Sequence, residues 1–141
     1  HLGRVGVPYT VCPIAEMPKP WLKVIMEQDE PYLRRVQAYI QAHWPEEYEA
    51  IFSNRYLLEL TSRGSNKGTM VARMARELGI APGHIYCIGD NQNDIPMLAL
   101  SAIPFAPGNC ADEVRAWGAR VLCHCDEDAV AQAIEILDGI Y

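Results

Sequence analysis

The residues best suited to chemistry lie close together in Gly89-Asp90-Asn91-Gln92-Asn93-Asp94. The apolar residues Ile85-Tyr86-Cys87-Ile88 run straight into them, which reads as a buried strand ending in a carboxylate. Asp94 reads as the N-cap of a following helix, with Pro96 in its first turn. In an open parallel sheet, ligands bind in the crevice beyond the carboxyl ends of the strands. Asp90 would then stand at the lip of that crevice, with Asn93 and Asp94 at the positive end of the next helix. Hard carboxylate oxygens beside a helix N-terminus suit a divalent cation and an anion held together. The plainer alternative is a polar strand-to-helix turn.

A second group is Lys67, the first residue of a helix predicted over residues 67–78, with Gly79 closing it. A cation in the first turn opposes the macrodipole, at a cost of about a few tenths of a kcal/mol. An anion beside Lys67 would remove that conflict; a solvated surface lysine reads equally well. Cys123-His124-Cys125 lacks the paired spacing of structural zinc sites and reads as alternation along a strand. Cys87 reads as a small core residue, and His43 and His84 as solvent-facing. Ser53, Asn54 and Arg55 stand at a predicted hairpin turn, where they would form the turn or touch a ligand from above.

The elements that must position these groups fall into two patterns. Residues 1–20 are rich in proline and read as an extended or edge strand and a linker; Gly3 and Gly6 lack the strand and helix of a phosphate loop. Trp21–Met26 reads as a strand, and Asp29 caps a helix whose Leu33, Val36, Ile40 and Trp44 form one apolar stripe. Tyr48–Asn54 and Tyr56–Thr61 read as an antiparallel hairpin. Beyond residue 66, helices and strands alternate with short connections. Met70, Val71, Met74, Ala75 and Leu78 face inward from the first helix. Ala102–Phe105 and Arg120–Cys123 are strands, Asn109 caps a helix ending at Trp117, and Asp126 caps a last helix with Ala129, Val130, Ala133, Ile134 and Leu137 inward. Such alternation implies a parallel sheet covered by helices.

The chain has 141 residues, half of them apolar, and a formal net charge of −6. That charge argues against nucleic acid or an anionic membrane surface as partner. No apolar run approaches the ~20 residues of a membrane span. Five cysteines without regular spacing imply a reducing compartment, the cytoplasm.

The second half resembles the haloacid dehalogenase superfamily, specifically Cof-type phosphatases with a mobile α/β cap. Ser65-Asn66-Lys67-Gly68, Gly89 to Leu98, Ala102 to Cys110 and Asp126 to Val130 carry the likeness, in the family's order and spacing. The resemblance implies an α/β fold: part of a Rossmann-like core, a parallel sheet with flanking helices, over residues 62–141. Part of an α+β cap would precede it over residues 1–61. It also implies Mg2+-dependent hydrolysis of a small phosphorylated metabolite, such as a sugar phosphate, through an aspartyl-phosphate. By the same resemblance, Lys67 would neutralise the phosphate and the nucleophile, and Asp90 would bind Mg2+. Asn93 would hydrogen-bond phosphate or substrate, and Asp94 would bind or orient the metal shell.

The family's Asp-x-Asp pair, nucleophile and general acid, has no match followed by Gly-Thr in the 141 residues. Asp126-Glu127-Asp128 has the spacing but sits at a late helix start. The chain is therefore expected to be a piece of a longer phosphatase, inactive by itself, with a non-catalytic phosphate- and metal-binding domain as the alternative. A receiver-like module with Asp90 as phospho-acceptor fits less well, because an acidic pair on an earlier strand is absent. Without the first core strand, Ile85–Ile88 would present an open edge, inviting self-association.

Overall fold

The computed structural model describes residues 6–141. Gly3 and the start of the expected edge strand lie outside these residues. From Gly6 to Pro20 there is no strand, only a 3-10 turn at Ile14–Glu16. Pro8, Pro13, Pro18 and Pro20 have no N–H to offer a ladder, which accounts for the correction.

The first half builds an antiparallel layer under one helix. Strands β1 (Val24–Glu27), β2 (Tyr48–Asn54) and β3 (Leu57–Ser62) form a sheet in the order β1-β3-β2, so β2 is an edge among the described residues. Helix α1 (Glu30–His43) starts where Asp29 Oδ1 accepts from the Tyr32 N–H at 2.9 Å, with Pro31 in its first turn. Its Leu33 and Ile40 bury against Ala50, Phe52 and Leu58, the last two directly paired across β2 and β3. Trp44 does not join this stripe: it is the C-cap, with backbone angles outside the helix, and remains 42% exposed.

The second half alternates. Helix α2 (Lys67–Glu77), strand β4 (Tyr86–Ile88), helix α3 (Ile95–Leu98), strand β5 (Ile103–Ala106), helix α4 (Asp112–Trp117), strand β6 (Arg120–Val121) and helix α5 (Ala129–Asp138) follow in turn. The strands are parallel in the order β4-β5-β6, with Tyr86 opposite Ile103 and Phe105 opposite Arg120. Consecutive residues of β5 serve opposite faces. Ala106 packs with Cys87, Leu98 and Val114, and Phe105 with Leu122, Ala129 and Ala133. The chain is thus an α/β protein, as its alternation implies.

Several boundaries differ from the sequence pattern. β6 stops at Val121, so Cys123 is not in a strand; a 3-10 turn at Cys125–Glu127 takes over. Ala111, not Asn109, precedes α4, because the Asn109 carboxamide accepts instead from the Cys125 N–H at 3.3 Å. Asp128, not Asp126, precedes α5, and it does so at a left-handed φ of 62°. Val130 and Ile134 then point outward, as do Met70, Met74 and Leu78 of α2. Helix α2 touches its neighbour through small residues rather than through its methionines. A Cβ on Gly68 would lie 2.3 Å from the Pro96 carbonyl oxygen.

Among the described residues, no helix is long and apolar enough to cross a membrane. All five cysteines are free thiols.

Helix propensity alone favours Gly68→Ala by about 1 kcal/mol. The Pro96 contact is backbone and cannot step aside. Gly68→Ala is therefore expected to destabilise the protein, read as a lower urea midpoint; an unchanged or higher midpoint would contradict the close approach.

Candidate functional site

Strand β4 delivers the chain to Gly89 and Asp90 at its carboxyl end, and a 3-10 turn at Gln92–Asp94 leads into α3. Gly89 is dictated by proximity, since a Cβ there would sit 2.4 Å from the Asp94 Cβ. Asp94 is not the forward-facing cap its position suggests. The 3-10 turn starts earlier, with the Asp94 N–H donating to the Asn91 carbonyl at 2.9 Å. Asp94 thus occupies a third position, from which an acidic side chain reaches back. Its Oδ2 accepts from the Asp90 and Asn91 N–H groups at 2.9 and 3.1 Å, and its Oδ1 accepts from Lys67 Nζ.

Asp94 is almost fully buried, whereas the Lys67 side chain is about half exposed. Burial pushes the Asp94 carboxyl up, but the Lys67 ammonium and the two N–H groups outweigh it and hold the carboxyl below its ordinary value. Asn66 caps α2 by accepting from the Thr69 N–H at 2.9 Å. Lys67 is therefore the first helical residue, and Asp94 is the anion that its position called for.

Asp90 is exposed, and its carboxylate accepts one bond, from Asn91 Nδ2 at 2.9 Å. It faces two cavities. One, of about 550 Å³, lies between the two sheets' units and is also lined by Glu30, Arg34, Arg55, Asp112 and Glu113. The other, of about 390 Å³, includes Cys125 and Asp128. Lys67 and Asn93 line a third, of about 570 Å³, to which Asp90 does not contribute. Lys67 and Asp90 are thus joined through the Asp94 carboxylate, not through a shared cavity. Asp90 offers the hard, accessible oxygen a magnesium ion takes, whereas both Asp94 oxygens already serve N–H donors. That donor set fits direct contact at Asp90 and a supporting role for Asp94.

The Cys123-His124-Cys125 run is exposed in part and locally satisfied: Cys123 Sγ donates to the Glu127 carbonyl at 3.1 Å. The ligand atoms of His124, Cys125 and Asp126 lie within 4.8 Å of one another on the surface. Burial pushes the Cys87 thiol up, as befits a core thiol, and Ser101 opposes this weakly.

A family model for haloacid dehalogenase-like hydrolases matches residues 10–134. The chain belongs to this family. Among curated proteins, the haloacid dehalogenase-like chain is 32% identical over 103 residues to the chloroplastic endoribonuclease YBEY of Arabidopsis thaliana, covering 70% of the chain and 18% of that protein. It is 32% identical over 80 residues to a phosphoglycolate phosphatase of Methanothrix thermoacetophila, covering 57% and 36%. Its fold matches the crystal structure of SMU.1108c from Streptococcus mutans with a TM-score of 0.82 at 20% identity, over 92% of the chain and 49% of that structure. The chain spans less than half the length of each of these proteins.

Sequence reasoning missed the side chains that tie the two units together. Arg34 Nη2 donates to Glu113 Oε1, and Gln92 Oε1 accepts from the Phe52 N–H at 2.9 Å and from Gln37 Nε2 at 3.2 Å. One signal was available: Gln37 falls on the buried stripe between Leu33 and Ile40 and is only 8% exposed, so it needed a partner.

Asp94→Asn keeps the shape but places an amide NH2 against either Lys67 or the two turn N–H groups. Leaving such buried donors unmatched costs about 1–3 kcal/mol. The folded carboxyl titrates below the unfolded value of about 3.9, so its stabilisation is present above that value and lost as pH falls below it. The variant should therefore be less stable near neutral pH. The gap to wild type should close below about pH 4 in urea titrations at a series of pH values.

Proposed function

We propose that this chain is the lysine- and metal-bearing part of a Mg2+-dependent phosphomonoester hydrolase acting on a small phosphorylated metabolite. Residues 1–61 would serve as part of the lid and residues 62–141 as part of the core. The observation that carries the proposal is the Asp94 carboxylate, which holds the Lys67 ammonium on one oxygen and the Asp90 turn on the other. Family membership and the phosphatase relative support the same reaction class.

In this reading Asp90 would hold Mg2+, and Asp94 keeps the Asp90 backbone and Lys67 at fixed separation. Lys67 opens onto a neighbouring cavity, and in this reading it would stabilise the spread negative charge of the phosphoryl group from that side, across the Asp94 carboxylate it bonds. Asn93 lies on the lysine's cavity and not on the one Asp90 lines, and in this reading it would donate to phosphate from the lysine's side. The bound ion supplies charge neutralisation of phosphoryl oxygens. The attacking carboxylate of an aspartyl-phosphate route is not among the Asp-x-Asp spacings of this sequence, since Asp126 lies within a surface turn and Asp128 directly follows it. The 141 residues alone are thus expected to be inactive. That same lack favours the second reading, a phosphate- and metal-binding domain without catalysis.

β4 is an edge of its sheet among the described residues, and we place self-association there. The free thiols fit the cytoplasm.

In the full-length protein, p-nitrophenyl phosphate hydrolysis should require Mg2+ and fall at least ~100-fold in Asp90→Ala, with the fold retained by circular dichroism. Unchanged turnover in that variant would remove Asp90 from the metal site. A wild-type protein that binds Mg2+ and phosphate yet never turns over would establish the binding domain instead.

A further inference from the structure

One of the contacts between the two units is made by a residue of the Asp90 turn. Gln92 stands two residues after Asp90 and lies across from β2, the edge strand of the antiparallel sheet. An edge strand leaves outward N–H and C=O groups without strand partners. On β2, two such groups are met by side chains. The Ala50 carbonyl accepts from Gln37 Nε2 at 2.8 Å, and the Phe52 N–H donates to Gln92 Oε1 at 2.9 Å. Gln37 Nε2 also donates to Gln92 Oε1, at 3.2 Å, so one carboxamide oxygen closes the pair. Phe52 is itself fixed: it is 4% exposed, with the Arg34 guanidinium 4.3 Å from its ring centre. Arg34 in turn bonds Glu113 across the same cavity.

We propose that Gln92 is a positioning residue that pins the edge strand of the lid to the turn carrying Asp90, and so sets the depth of the cavity between them. The reading rests on that cavity being the substrate pocket of the proposed phosphatase. Asp90, Asn91 and Gln92 form its floor on one side, and Phe52, Asn54 and Arg55 its wall on the other. A substrate held between floor and wall gains affinity only while the two stay in register. The pin uses an acceptor oxygen alone, which gives a sharp chemical test. Gln92→Glu keeps an oxygen for both donors; Gln92→Met keeps the length and removes the acceptor.

In the full-length protein, amide hydrogen exchange at Phe52 should quicken at least ~10-fold in Gln92→Met and stay near wild type in Gln92→Glu, with Leu58 unchanged in both. KM for p-nitrophenyl phosphate should rise about five- to tenfold in Gln92→Met, the range of one neutral hydrogen bond, with kcat within about threefold. Gln92→Glu adds a carboxylate to a pocket already rich in them, so it is read by Phe52 exchange and not by KM. Phe52 exchange that does not respond to Gln92→Met would overturn the pin, whether or not the protein turns over phosphate esters. Faster exchange with unchanged KM would leave a structural bond only, and so would refute positioning. Phe52 exchange as fast in Gln92→Glu as in Gln92→Met would overturn the pin as well. If wild type shows no turnover, the phosphatase reading fails and Phe52 exchange alone decides the pin. Should Gln92→Met not fold, Gln37→Met removes the second donor to the same oxygen and should raise KM about two- to threefold; no rise would overturn the proposal.

Discussion

One buried carboxylate holds this site together. Asp94 gives one oxygen to an ammonium and the other to two backbone N–H groups, at a place where water does not reach. An isolated carboxylate there would be driven toward its neutral form; three donors reverse that tendency. The same contact answers the question posed by Lys67, a cation at the unfavourable end of a helix dipole. It also explains two glycines. Gly89 must lack a side chain because Asp94 folds back over it, and Gly68 must lack one because α2 lies directly on Pro96.

How much of this was legible in the sequence depended on whether a residue's role followed from its neighbours along the chain. The strand into Asp90, the start of α1 at Asp29 and the start of α2 at Lys67 were all set by local signals: an apolar run, a cap, a proline in the first turn. Asp94 was placed correctly but read in the wrong direction. A short 3-10 turn moved the helix start, and no spacing rule distinguishes a forward cap from a third-position acid that reaches back.

The apolar stripes were legible only in part. Period alone put Met70, Met74 and Leu78 inward, yet α2 sits close to α3 through Gly68, so that face turns outward. Trp44 failed for a simpler reason, because the helix had already ended. Gln92 was invisible: an amide within a polar turn carries no periodic signature, and its partner lies 40 residues away. Long-range polar pairing is set by tertiary geometry, and sequence distance conceals it.

The large cavity adds an electrostatic consequence. Glu30, Asp90, Asp112 and Glu113 line it against Arg34 and Arg55, four carboxylates to two guanidiniums. Arg34 is already engaged by Glu30 and Glu113, and that ion pair holds the Glu113 carboxyl below its ordinary value. What remains facing the cavity is net negative, and a phosphate ester entering by itself would be repelled. On the proposed reading, the pocket can accept its anionic ligand only with a cation at Asp90. Metal and substrate affinity would then be linked through charge, each favouring the other. Lys67 cannot relieve the repulsion at the entrance, since it is paired with Asp94 and lines a different cavity.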